Sequence, residues 1–124
     1  MFRVLFLTLI LVGSVAFAHA EKVEPIPSPT TPLVLDEIGK SSDKDLIARF
    51  QVLKDKLLEE SDITAYIINY GSESQIKKRK KQIQKALAFH KIDLKRVVSV
   101  YGGKFDWLTT KIYIVPQKVE PPTP

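Results

Sequence analysis

The sequence predicts an α+β fold, a two-layer sandwich with two helices on one face of a four-stranded mixed sheet, in the order β-α-β-α-β-β. Three observations predict it. Two charged segments, 43–60 and 74–90, carry apolar residues at helical spacing. Between them, 64–70 (TAYIINY) is β-branched, aromatic and uncharged, as befits a strand covered on both faces. After the second helix, two further β-prone runs flank Gly102-Gly103. Helices of this length bury their apolar stripes against one side of a sheet.

The elements follow in order. Leu33-Val34-Leu35 opens the domain as a short first strand ending near Asp36. In the first helix Leu46, Ile47, Phe50, Leu53, Leu57 and Leu58 gather on one face. Ser42 caps its start, Asp45 stands in the capping-box position, and Asp43 favours the positive end of the dipole. Gly71-Ser72 ends the central strand. In the second helix Ile76, Ile83, Ala86, Leu87 and His90 form the inner side. Residues 96–101 form the third strand and 108–115 the fourth, with Leu108, Thr110, Ile112 and Ile114 on one face and Pro116 at the end. The connection between these two is short enough for an antiparallel pair. Phe105 and Trp107, in that connection, are expected to close the open end of the core rather than form an exposed platform.

The flanks read differently. Residues 1–20 have the three parts of a cleavable signal peptide: Arg3 in a short positive region, an apolar run from Val4 to Phe17, and Ala18-His19-Ala20 before the expected cut. The run is short for a membrane span, which needs about 20 predominantly apolar residues. The expectation is an exported, periplasmic or secreted protein that does not span a membrane. Residues 21–32 are a Pro-rich linker, 33–117 the folded domain, and 118–124 a Pro-rich tail. There is no cysteine, so the domain must hold together by apolar contacts without disulfides. Its length suits one core and not two.

Charge is unevenly spread. The formal net charge is +5. Residues 21–73 carry 6 basic and 11 acidic side chains, whereas 74–124 carry 12 basic and 3 acidic. Lys77-Lys78-Arg79-Lys80-Lys81 is the densest basic run, and five consecutive helical positions spread it around most of the helix. Such a run either binds an anionic polymer (wall glycan, lipid phosphates or extracellular nucleic acid, without sequence specificity) or is a solvated face whose stems cover apolar surface. Arg79 by itself is either a carboxylate-binding residue or one more surface charge. Asn69, near the end of the central strand, either adds an amide to such a pocket or bonds the backbone of the following turn.

Enzyme signatures are missing. The sequence has no nucleophile elbow, no glycine loop to cradle a phosphate, and no histidine paired with a serine. Asp36 and Glu37 are adjacent on a strand, so they face opposite ways and make no acid/base pair. No cluster has metal-ligand spacing, so neither a metal nor another cofactor is expected. The reading is a non-enzyme.

Several short stretches resemble the periplasmic domain of outer membrane protein A (OmpA)-like proteins. They are Leu35-Asp36-Glu37, Ile67-Ile68-Asn69-Tyr70, Arg79 with Ile83 and Leu87, Ile92-Asp93-Leu94-Lys95-Arg96-Val97, and Thr110-Lys111-Ile112-Tyr113-Ile114. The resemblance covers 33–115 and implies a module of the cell envelope that associates with peptidoglycan or with a protein partner. It also implies a ligand site. In that family an arginine of the second helix and an aspartate after the central strand hold the carboxylate and amine of diaminopimelate. Arg79 falls at the arginine position. Ser72, uncharged, falls at the aspartate position. The candidate ligand-binding residues are therefore Arg79, Asn69, Ser72, Lys77, Lys78, Lys80 and Lys81.

Overall fold

The computed structural model describes residues 31–124. The expected leader and residues 21–30 of the linker lie outside the described residues. Strand β1 (Leu33–Ile38) leads to helix α1 (Asp43–Glu59), strand β2 (Ile63–Tyr70), helix α2 (Glu73–Phe89), a 3₁₀ turn at Leu94–Arg96, and strands β3 (Val97–Gly103) and β4 (Thr109–Pro116). The α+β architecture and the element order agree with the sequence reading. Among the described residues no helix is long and apolar enough to cross a membrane.

Both helices bury their apolar stripes on the same sheet face. Leu46, Phe50, Leu53 and Leu57 of α1 and Ile83, Ala86 and Leu87 of α2 meet Ile63, Ala65 and Ile67 of β2 and Ile112 and Ile114 of β4. Residues two apart on a strand share a face, so each strand contributes alternate residues to this core. Leu58 departs from the expectation: it is 72% exposed. Its position is one step of about 100° beyond Leu57, which carries it off the buried stripe.

The helix ends are set locally. Ser42 Oγ accepts from the Asp45 amide at 3.1 Å. The Asp45 side chain is occupied with Ser41 and Arg49, so this cap has one arm. At α2 the box is complete: Ser72 Oγ accepts from the Gln75 amide, and Gln75 Oε1 accepts from the Ser72 amide at 3.0 Å. His90 caps the other end of α2, with Nε2 donating to the Ile47 carbonyl at 2.5 Å and Lys91 turning in the left-handed region at φ 54°.

The sheet order is β1-β4-β2-β3. Strand β2 pairs parallel with β3 and antiparallel with β4, and β4 pairs antiparallel with β1. The expected β3–β4 hairpin is therefore a correction: β2 lies between them. The connection 104–108 must cross two strand spacings, about 10 Å, which five residues at roughly 3.3 Å each span easily. Insertion of β4 gives the uncharged β2 a partner on both edges. The crossing also carries Phe105 and Trp107 out of the core, leaving them 48% and 61% exposed. They stack edge to face at 4.8 Å, and Phe105 meets Tyr70 at 6.4 Å. Gly102 lies where a Cβ would come within 2.7 Å of Ile68 Cγ2, so the crossing starts at a point where a side chain does not fit.

Phe50 is fully buried and Leu58 is not. Phe50→Ala should cost about 3–5 kcal/mol. Leu58→Ala should change stability by no more than about 0.5 kcal/mol. Urea denaturation of the two variants checks both.

Candidate functional site

A row of paired residues crosses the sheet beneath α2. Ile38 of β1 pairs with Thr110 of β4, and Thr110 pairs with Asn69 of β2. Ile38, Thr110 and Asn69 are all fully buried. Arg79 comes down onto this row from the second turn of α2 and is also fully buried. Its Nη1 donates to Thr110 Oγ1 at 2.8 Å and to the Ile38 carbonyl at 3.3 Å. Its Nη2 donates to the Gly39 carbonyl, and its Nε to Gln82 Oε1 at 3.0 Å. Thr110 then donates to Asn69 Oδ1 at 2.7 Å.

This network is rich in donors and has no anion. Arg79 brings five N–H groups, four of which have the acceptors just named. Asn69 Nδ2 is buried with no partner. No carboxylate pairs with Arg79 among the described residues. Burial, and then the neighbouring charge of Arg49, pull the pKa of Arg79 down from its ordinary value. A guanidinium nevertheless stays charged in a protein, so the charge must be borne by dipoles or by a ligand.

Arg79 lies at the floor of an open cleft of about 680 Å³. One wall is the β1–α1 turn with Gly39, Lys40 and Ser41, continuing to Asp43. The other is α2, through Gln75, Lys78, Lys81, Gln82 and Lys85. Trp107 and Leu108, delivered by the crossing loop, close the end. Five cationic side chains line the cleft against one carboxylate, Asp43. Asp43 accepts from Lys85 Nζ and from Gln82 Nε2, each at 3.0 Å. Those bonds, Gln82 first and Lys85 second, hold its pKa below the ordinary value. Among the described residues no group of three or more His, Cys, Asp or Glu could hold a metal ion.

The residues singled out from the sequence divide in two. Arg79, Lys78 and Lys81 belong to the cleft, and Asn69 supports it from behind through Thr110. Asn69 does not bond the following turn, because its carbonyl oxygen is taken by Thr110. The alternative of Arg79 as a surface charge is ruled out by its full burial. Ser72 is not in the cleft: it is exposed and serves as the N-cap of α2. The signal for that role was Ser72-x-x-Gln75. Lys80 is exposed and outside the cleft, while Lys77 lines a smaller neighbouring groove of about 350 Å³ with Ser74, Gln75, Lys78 and Lys81. The basic run is thus split by the helix, with Arg79 inside and the lysines outside. Sequence reasoning missed Lys40, Gln82, Lys85 and Thr110. Gln82 and Lys85 had a detectable signal, since they follow Arg79 and Lys81 at helical neighbour spacing.

No protein-family model matches the chain, and no curated protein matches its sequence.

Two outcomes test the network. Thr110→Val keeps shape but leaves an Arg79 N–H and Asn69 Oδ1 unpartnered, so it should cost about 1–3 kcal/mol by chemical denaturation. The second concerns pH. Asp43 and Asp45 both have lowered pKa values, Asp43 through Gln82 and then Lys85, Asp45 through Ser41 and then Arg49. A depressed folded pKa gives stability that is present above the unfolded value and lost as pH falls through the folded one. Stability should therefore decline as pH drops below 3.8, the ordinary value for both groups. The decline should be shallower in Asp43→Asn and Asp45→Asn, as followed by thermal melts across an acid series.

Proposed function

We propose that this is a non-catalytic module of the cell envelope, exported by its leader, that binds peptidoglycan stem peptides in the cleft above Arg79. One observation carries the reading. A fully buried guanidinium without a carboxylate partner lies at the floor of an open cleft, at the helix position that the OmpA-like resemblance assigns to carboxylate binding. A ligand carboxylate held in the cleft would supply the missing countercharge to the guanidinium beneath it. The aspartate of the family site is absent, with Ser72 at its position, so binding is atypical and rests on Arg79 and its surroundings.

A second reading is favoured by the smaller groove of Lys77, Lys78 and Lys81: a basic surface for anionic polymers. Salt separates the two. Exposed lysines are screened within a Debye length of about 8 Å at physiological ionic strength, whereas a buried pair is screened far less. In a pull-down with purified sacculi, wild-type protein should bind and keep binding at high salt. Arg79→Lys, which retains the charge but not the planar fork, should bind more weakly while its circular dichroism stays folded. Binding that vanishes with salt and ignores Arg79→Lys supports the polymer reading. Absence of binding to both sacculi and polyanions sinks both and leaves a protein partner.

A further inference from the structure

We infer that the cleft selects ligands with two anionic groups and no free amine. This deepens the peptidoglycan reading and rests on it for the source of the ligand. The argument is the balance of charges on the walls. Asp43 is the one carboxylate lining the cleft, and both its neighbours are already engaged with it: Lys85 Nζ and Gln82 Nε2 at 3.0 Å. An incoming ammonium group finds no other acidic acceptor there and must compete with Lys85 for this one.

The anionic side is the reverse. Lys40, Lys78 and Lys81 line the cleft, and none of them makes an ion pair among the described residues. Lys78 and Lys81 stand exposed on the α2 wall and Lys40 on the β1–α1 turn, so two anionic groups can be neutralised at once by these ammonium groups, with the charge of the buried Arg79 beneath them. The buried end of the site points the same way. Behind Arg79 the polar chain runs through Thr110 to Asn69 and ends on a donor, Nδ2, with no acceptor. Neither the cleft wall nor the chain behind it adds a carboxylate to Asp43 among the described residues. Trp107 adds an aromatic wall that an aliphatic or amide segment between the two acids can lie against.

The stem-peptide ligand is therefore one whose diamino acid has its side-chain amine already acylated, as in a cross-linked peptide. Three diacids on one seven-carbon scaffold test this: pimelate, diaminopimelate, and N,N′-diacetyl-diaminopimelate. Each is titrated into the full mature chain and followed by amide chemical shifts. Pimelate and the diacetyl compound should bind about tenfold more tightly than diaminopimelate, because both are dianions without an ammonium group. Lys78→Gln with Lys81→Gln, both surface positions, should erase that preference by weakening the two dianions far more than diaminopimelate. Tighter binding of diaminopimelate, a preference that survives the double change, or no binding of any of the three overturns the inference. The sacculus pull-down reports separately. If sacculi bind through Arg79 while diaminopimelate is preferred, the selectivity is wrong and the wall-binding reading stands. If the dianions bind as expected while sacculi do not, the pocket is correct and its source lies elsewhere.

Discussion

The structure turns on how one buried positive charge is satisfied. Moving an ion the size of a guanidinium out of water costs several kcal/mol even after relaxation. Arg79 meets that cost with acceptors from three elements: the Ile38 and Gly39 carbonyls at the end of β1, the Thr110 hydroxyl on β4, and the Gln82 amide on its own helix. Each bond is also a tie. The last carbonyls of β1 cannot drift from α2, and β4 cannot slip in register without removing Thr110 from beneath the guanidinium. A one-residue slip would turn Thr110 to the opposite sheet face. The network is thus a register lock as well as the floor of the cleft.

The strand order makes that lock possible. Because β4 enters between β1 and β2, Thr110 pairs with Ile38 on one side and Asn69 on the other. A hairpin of β3 and β4 would have placed Thr110 at the edge, away from β1. The insertion forces residues 104–108 across the end of β2, and Gly71 N–H bonds the Gly103 carbonyl at 3.1 Å at that crossing. So the topology that completes the sheet also brings Trp107 round to the cleft.

Much of this was legible in the sequence because period and burial are local properties. The stripes of α1 and α2, the uncharged β2 and the alternation in β4 each follow from residues close in the chain. Pairing order is not local. Nothing in 104–108 distinguishes a hairpin loop from one that steps over a strand, since both need the same freedom at Gly102-Gly103. The choice between core closure and an exposed platform for Phe105 and Trp107 turns on the same pairing order. For the site, the basic run was conspicuous but its division was not. Helical rotation buries Arg79 and leaves Lys77, Lys78, Lys80 and Lys81 outside, and only the position of the sheet decides which of the five turns inward. Ser72 was placed in the site because it sits where the resemblance wants an acid. Locally it answers a more immediate demand, the free amides at the start of α2.

The location of the cleft follows from the same geometry. Strands β1, β2 and β3 run parallel to one another, with β4 reversed among them. Ile38, Asn69 and Gly103 all lie at or near their carboxyl ends, and Thr110 near the amino end of β4. In open αβ sheets, crevices form beyond the carboxyl ends of strands because the chain must leave there toward its helices. Here those departures bring the first turns of both α1 and α2 to the same end of the sheet, with their positive dipole ends and free amides. Asp43 sits in the first turn of α1, and Gln75 in that of α2. Backbone dipoles, lysines and the buried guanidinium therefore all contribute the same sign to one place. The same strand order that lets Arg79 tie β1, β4 and α2 together therefore also gathers positive charge at one end of the sheet.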